Sequence, residues 1–443
     1  MPSKKPQAPK GQAGTTPQQQ TATSVASRKA QDLAIKALQR KFGTDFRRMS
    51  TVEMLSWLTS GLEPLDHLSR GGELGEFLGF LPVGKIVEVY GDEGCGKTSL
   101  ALANVKQAQK LGWTVIYGDS ENALTPARCT AVGVDPDLLV YCPTNTMEAF
   151  FGAIETFVET LRAAERADNL PQSPILVVWD SVAGTSNQDE LLRDAPGSKD
   201  KKKAKPGEDE EGGDSEAPSG MESTAGIASH ARIVSRTMRR WSHWIRTQQV
   251  ACLFLNQIRD TIQTSRFKQG VTLERTFGGR AIAFHATIRY KMTLSRKIKN
   301  ESTGKFIGIY AKIHAVKNRI SAPFRNLFIR FNFTDGIDRE GSLLEYLLNE
   351  AILLRVKQGS TFYVGFEGAW HRPNDSLVKL FKERTLEQIM AGIQDIPHDE
   401  FGERVRQRLK LPKVRQQEVD LAALDEAAAV FDPPTDGGDE EEG

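Results

Sequence analysis

Helical spacing first becomes legible at Arg28. Ala30, Leu33, Ala34, Ala37 and Leu38 form one stripe up to Phe42, and Gly43 suits a C-terminal cap. The stripe stands apart from later apolar segments, so its cover is either its own domain or a neighbouring subunit. From Gly84 onward short apolar runs alternate with longer amphipathic ones. Ile86–Tyr90, Thr114–Tyr117, Ile175–Trp179 and Val250–Leu255 read as strands. Thr98–Leu111, Glu148–Arg166 and Ile227–Thr247 read as helices, the first closed by Gly112. Such alternation predicts an α/β fold with a mostly parallel sheet covered on both faces. Ile288–Leu294, Ile307–Val316 and Leu327–Phe333 extend it as hairpin strands.

Other stretches carry no such pattern. Residues 1–27 are rich in Pro, Gln, Thr, Lys and Ala, a composition expected to stay disordered. Lys199–Lys205 holds five lysines and Glu208–Glu216 is acidic and glycine-rich, which reads as a disordered charged insertion over 196–222. The end of the chain is acidic. The expected organisation is a tail (1–27), an N-terminal segment (28–60), an α/β core (61–345), a small α/β or helical C-terminal lobe (346–412) and an acidic tail (413–443).

Composition narrows the class without deciding it. Hydrophobic content is 39% and net charge +1, so any polyanion-binding surface has to be local. The four cysteines, Cys95, Cys129, Cys142 and Cys252, form no C-x-x-C pair and read as reduced thiols. With no leader pattern and no apolar run near the ~20 residues of a membrane span, a cytoplasmic protein is expected, and no membrane partner.

The chemistry begins at Gly91-Asp92-Glu93-Gly94-Cys95-Gly96-Lys97-Thr98, followed by Ser99, which fits G-x-x-x-x-G-K-[ST]. Glycines let backbone N–H groups close on phosphates, Lys97 reaches the β- and γ-phosphates, and the Thr98 hydroxyl ligates Mg²⁺. A strand before the motif and a helix after it supply the required context. Asp180, at the end of an apolar strand, suits a second Mg²⁺ contact. Asp119 and Glu121 are both candidates for polarising the attacking water. Asn256-Gln257 offers amides that could sense the γ-phosphate. Cys95, at a helix N-terminus beside Lys97, is expected to be a reactive thiol of lowered pKa.

Helix 227–247 carries Ile227, Val234, Met238, Trp241 and Ile245 on one face and Arg232, Arg236, Arg239, His243 and Arg246 on the other. Together with Arg240, this basic face suits phosphate contact. Arg259, Arg266, Lys268, Arg275 and Arg280, interleaved with Phe267 and Phe277, suit a single strand, and Gly278 and Gly279 would let such a loop reorder.

In their order, the stretches 83–98, 119–126, 177–181, 256–259, Gly278-Gly279 with Phe284, and 316–324 resemble the RecA family of recombinases. The resemblance implies a RecA-type P-loop ATPase core using ATP and Mg²⁺, which filaments on single-stranded DNA and exchanges strands with a duplex. It selects Glu121 as the residue that activates water and Gln257 as the γ-phosphate sensor. It puts the first DNA loop at 187–227 and the second at 258–280. It makes Phe284 a subunit contact, and Lys317 and Arg319 cations reaching a neighbour's ATP. Single-strand-binding and loader proteins are further partners it implies. The acidic tail is then either a solubilising end or a DNA mimic. Four departures stand out: Cys95 replaces a small hydroxyl residue, Arg128 stands where many members stack a tyrosine on adenine, Arg319 replaces lysine, and the first DNA loop carries the insertion. Alternatives are a ring-shaped helicase-like motor and an ATP-switched DNA scaffold.

Overall fold

The computed structural model describes residues 17–42, 56–71, 79–186 except 144, 224–262, and 272–395 except 301, 354, 359 and 383. Two units separate at residue 55. The first holds α1 (Pro17–Phe42). This helix starts eleven residues before the expected Arg28, inside the stretch expected to be disordered. Pro17 suits a first helical turn, and the Gln and Ala that follow are good helix formers. Its Leu33 is 70% exposed.

The second unit begins at Ser56, ahead of the expected boundary at 61, because β1 (Trp57–Leu58) pairs with β2 (Leu81–Pro82). Between them lies α2 (Glu63–Arg70), with Pro64 in its first turn. The core alternates as anticipated: β3 (Ile86–Gly91), α3 (Lys97–Lys110), β4 (Thr114–Asp119), α4 (Pro126–Ala131), β5 (Leu139–Cys142), α5 (Met147–Ala167) and β6 (Ile175–Asp180). Then come α6 (Thr224–Thr247), β7 (Val250–Ile262), β8 (Thr272–Thr276), α7 (Arg280–His285), β9 (Ile288–Lys299), β10 (Phe306–Asn318), β11 (Asn326–Asn332) and β12 (Gly336–Asp338). They make one ten-stranded sheet of order β12-β11-β10-β9-β3-β7-β6-β4-β5, with β8 on β7. From β5 to β9 every neighbouring pair is parallel; β9 to β12 is an antiparallel meander.

Alternation along the strands divides the core. Ile175, Val177 and Trp179 of β6 pack with Phe150, Phe151 and Ile154 of α5 and with Val234, Met238, Trp241 and Ile245 of α6. The α6 face is the one its periodicity predicts. Leu176 and Val178 point the other way, where α3 packs. Trp179 stacks on Phe150 and meets Phe151 and Phe254 edge-on. A separate cluster joins α8 (Arg339–Asn349) to a lobe of β13 (Arg355–Gln358), β14 (Thr361–Phe366), β15 (Ala369–His371), α9 (Asp375–Phe381) and α10 (Leu386–Gln394). The acidic tail and the insertion lie outside the described residues.

Trp179→Ala should destabilise the protein by about 3–5 kcal/mol, since it removes a buried aromatic from a close-packed cluster. Chemical denaturation followed by circular dichroism checks this; a loss within error would contradict the packing.

Candidate active site

Parallel register brings the strand ends to one edge. Gly91 lies beside Gln257, and Asp119 beside Asp180. A cleft of about 610 Å³ opens there, lined by Glu93, Gly94, Gly96, Lys97, Thr98, Ser99, Glu121, Arg128, Asp180 and Gln257 among others. These groups are scattered over more than 160 residues of sequence, and the sheet collects them. Gly94 (φ 70°) and Gly96 (φ 97°) take left-handed conformations that a side chain would strain. Gly91 and Asp92 contribute otherwise: their carbonyls accept from Lys97 Nζ at 2.9 and 2.5 Å.

Asp180 is the hub. One carboxylate oxygen accepts from Thr98 Oγ1 at 2.9 Å and from the buried Tyr117 hydroxyl at 2.7 Å. Burial raises its pKa, and the two hydrogen bonds pull it back. Thr98 and Asp180 thus offer a hydroxyl and a carboxylate together. Among the described residues no group of three or more His, Cys, Asp or Glu could hold a metal alone. That donor set fits Mg²⁺, which binds through one or two protein oxygens plus substrate phosphates and water.

Asp119 and Glu121 differ in their surroundings. Asp119 is buried and already accepts from the Leu124 amide and the Tyr141 hydroxyl. Glu121 is exposed to the cleft, and its Oε1 accepts from Ser181 Oγ at 2.6 Å and Gln257 Nε2 at 3.2 Å. Ser120 and Ser181 lock the two strand ends beneath it.

Cys95 corrects an expectation. Its side chain turns inward, fully buried, and donates to the Asp92 carbonyl at 3.0 Å. Burial raises its pKa more than nearby Lys97 lowers it. The motif places the thiol beside the helix N-terminus, but the loop turns it into the interior.

The far end of the cleft is built by residues the sequence did not flag: Ala131, Val132, Ile309, Phe331, Asn332, Phe333, Thr334 and Gly336. They come from α4 and from the antiparallel meander, folded back over the phosphate loop. Phe331 lies so close to Gly96 that a Cβ there would meet its ring at 3.1 Å.

Lys317 and Arg319 do not line this cleft. Register sets Lys317 opposite Arg289, and Arg289 beside Glu88, three residues short of Gly91. That is about 10 Å along the strand and two strands across. Lys317 Nζ donates to the Ala283 and Phe284 carbonyls, and Arg319 also donates to Phe284. The Phe284 ring is 68% exposed. Burial, with Arg319 and Arg289 nearby, lowers the Lys317 pKa to about 8.

Of the expected DNA contacts, Arg232, Arg236 and Arg239 stand exposed on α6. Arg240 is also exposed but is engaged by Glu155, an acid supplied by α5 that the α6 pattern could not reveal. The stretch beginning at Ile258 is a β-hairpin rather than a loop: β7 runs on to Ile262 and β8 pairs back on it. The backbone register pairs Arg259 with Arg275 and Asp260 with Glu274. Arg266 and Lys268, like residues 187–223 of the first DNA loop, fall outside the described residues. Phe277 is half-buried against the core and so does not project as a stacking platform. Gly278 (φ 78°) and Gly279 (φ 68°) turn the chain into α7, where Arg280 is exposed.

Residues 29–205 and 215–338 match the RecA N-terminal domain family. The chain belongs to the RecA family. It is 31% identical to Protein RecA of Lactobacillus johnsonii over 387 residues, spanning 86% of this chain and 89% of that protein. Protein RecA of Latilactobacillus sakei is also 31% identical, over 84% and 93% of the two chains, and that of Lactobacillus delbrueckii 32%, over 73% and 83%. It is a RecA-type recombinase, and ATP binding, recombination and DNA repair belong to that family. No described helix is long and apolar enough to cross a membrane.

Cys95 should resist alkylation. In the native protein it should react at least tenfold more slowly than the same residue after denaturation, with or without ATP, because burial leaves little thiolate. Mass spectrometry of labelled peptides reads this directly; fast native labelling that ATP blocks would restore the reactive-thiol view.

Proposed function

We propose that this chain assembles head to tail on single-stranded DNA, hydrolyses ATP when DNA is bound, and exchanges strands with a homologous duplex. One observation carries the reading. The groups for phosphate binding and hydrolysis meet in one cleft, while Lys317, Arg319 and exposed Phe284 gather where they cannot reach it. A cleft on one subunit and cations on the next complete each other only if subunits repeat head to tail, and such contacts grow filaments when they do not close.

Lys97 and the loop amides hold the triphosphate, and Arg128 borders the same cleft. Bound Mg²⁺ would supply charge neutralisation at the phosphates, held by Thr98 and Asp180. Glu121 orients and deprotonates the attacking water, with Ser181 and Gln257 fixing its carboxylate. Gln257 heads the β7 extension, so a change at the γ-phosphate passes directly to the hairpin. Lys317 and Arg319 neutralise charge on the neighbour's triphosphate as an arginine finger does. Arg232, Arg236 and Arg239 bind DNA phosphates, and Arg259 and Arg275 add two further cations to the chain that follows Gln257. The exposed apolar stripe of α1 is a docking surface for the neighbouring subunit.

Strand exchange between a circular single strand and its linear homologous duplex tests the proposal: ATP-dependent joint molecules are expected, and ATP hydrolysis without any joint molecules would favour a motor instead. Glu121→Gln should keep ATP and DNA binding but slow hydrolysis by about 10²–10⁴-fold, as loss of a general base does; phosphate release at the normal rate would move the base elsewhere. Lys317 is protonated below about pH 8, so its contribution should be present at lower pH and fade as pH rises through 8. The DNA-dependent ATPase of Lys317→Arg should hold at pH 9 relative to pH 7 while the parent declines. An identical decline in both would remove Lys317 from the site.

A further inference from the structure

Glu88 is an oddity in its strand. It sits between Val87 and Val89 in β3, the strand that feeds the phosphate loop, and its side chain is fully buried. Each carboxylate oxygen is held by a different element. Oε1 accepts from Asn256 Nδ2 of β7 at 2.9 Å, and Oε2 from Arg289 Nε of β9 at 2.5 Å. Each partner leads somewhere chemical. Asn256 is itself fully buried; it donates also to the Phe277 carbonyl at 3.0 Å and accepts from the Gln257 amide at 2.9 Å. Those two bonds hold both feet of the β7–β8 hairpin. Arg289 lies over the Tyr90 ring at 4.6 Å and stands opposite Lys317 in the sheet. Its charge disfavours the protonated Lys317, and the charge of Glu88 offsets it.

We infer that Glu88 is a positioning residue that joins the neighbour-facing cations to the hairpin and to Gln257. This rests on the reading that Lys317 and Arg319 face the neighbour's triphosphate. An anion arriving at Lys317 changes the field on Arg289. Arg289 is tied to Glu88, and Glu88 cannot move without disturbing Asn256. The response therefore reaches the Gln257 backbone and Phe277, where the hairpin begins and ends. A buried ion pair with a purely structural role would hold the same three strands together but would transmit nothing.

Glu88→Gln separates the two. Glutamine has nearly the same shape and can still accept from Asn256, but it lacks the charge that fixes Arg289. The experiment is hydrogen exchange of the full-length protein over residues 258–262 and 272–276, with and without adenylyl imidodiphosphate, alongside ATPase with and without single-stranded DNA. In the parent, nucleotide should change hairpin exchange by about fivefold or more, and in the variant by less than about twofold. The KM for ATP and the DNA-free rate should stay within about twofold, while the DNA-stimulated kcat falls by about tenfold. A variant that keeps the parent's hairpin response overturns the inference whatever its melting temperature, and so does a parent hairpin indifferent to nucleotide. If Glu88→Gln does not fold, Arg289→Lys decides the same question, since it keeps the charge but loses the planar Nε–H contact and the stacking on Tyr90. Failure of the recombinase reading looks different: no DNA-stimulated hydrolysis in the parent, with the hairpin exchange still deciding on Glu88.

Discussion

Parallel pairing sets Gly91 level with Gln257 and Asp119 level with Asp180, so the ends of β3, β4 and β6 and the start of the β7 extension share one edge of the sheet. The candidate site depends on that register. A slip of one residue in any of these strands would turn its alternate residues to the other face. Asp180 would leave Thr98, and Glu121 would leave Ser181 and Gln257. The aromatic cluster around Trp179 guards the register from below, because Trp179, Phe150 and Phe254 interlock only when each strand presents its intended face. Packing in the core and geometry at the cleft are therefore one constraint met at two heights of the sheet.

The same sheet separates charges as well as collecting them. The antiparallel return of β10 carries Lys317 back from the phosphate edge, and α7 supplies the carbonyls that hold it there. The antiparallel end of the sheet also closes the cleft, through Phe331 and its neighbours. A fold with only the parallel strands would have a phosphate loop but neither a covered cleft nor the offset cations. In the proposed head-to-tail assembly, the antiparallel meander supplies the cations that face the neighbour.

Legibility in the sequence followed locality. The phosphate loop, the two flanking elements and Asp180 were readable, because each is a short pattern at a strand end. Asp119 and Glu121 were equivalent on chemistry alone; only the contacts of Asp119 with Leu124 and Tyr141 show it already committed. The far wall of the cleft was not readable, since Ile309 and Phe331 are ordinary strand residues until the meander folds over Gly96. The β7–β8 hairpin was hidden by mixed charge and absent alternation, and only the backbone pairing shows it. Cys95 misled because position in a motif does not say which way a side chain turns. Glu88 could have been singled out as a carboxylate within an apolar strand, but its partners lie 168 and 201 residues away.

The central claim is that each ATP site is completed by the next subunit, and mixing two inactive proteins tests it most directly. Lys97→Ala removes the phosphate grip on one side of the interface, and Lys317→Ala removes the cation on the other. In equal, random co-filaments about a quarter of interfaces pair an intact loop with an intact Lys317, as head-to-tail repetition requires. DNA-dependent ATP hydrolysis should therefore reappear in the mixture at roughly that fraction of the parent's rate. Co-filaments shown to contain both proteins and yet no more active than either alone would contradict it.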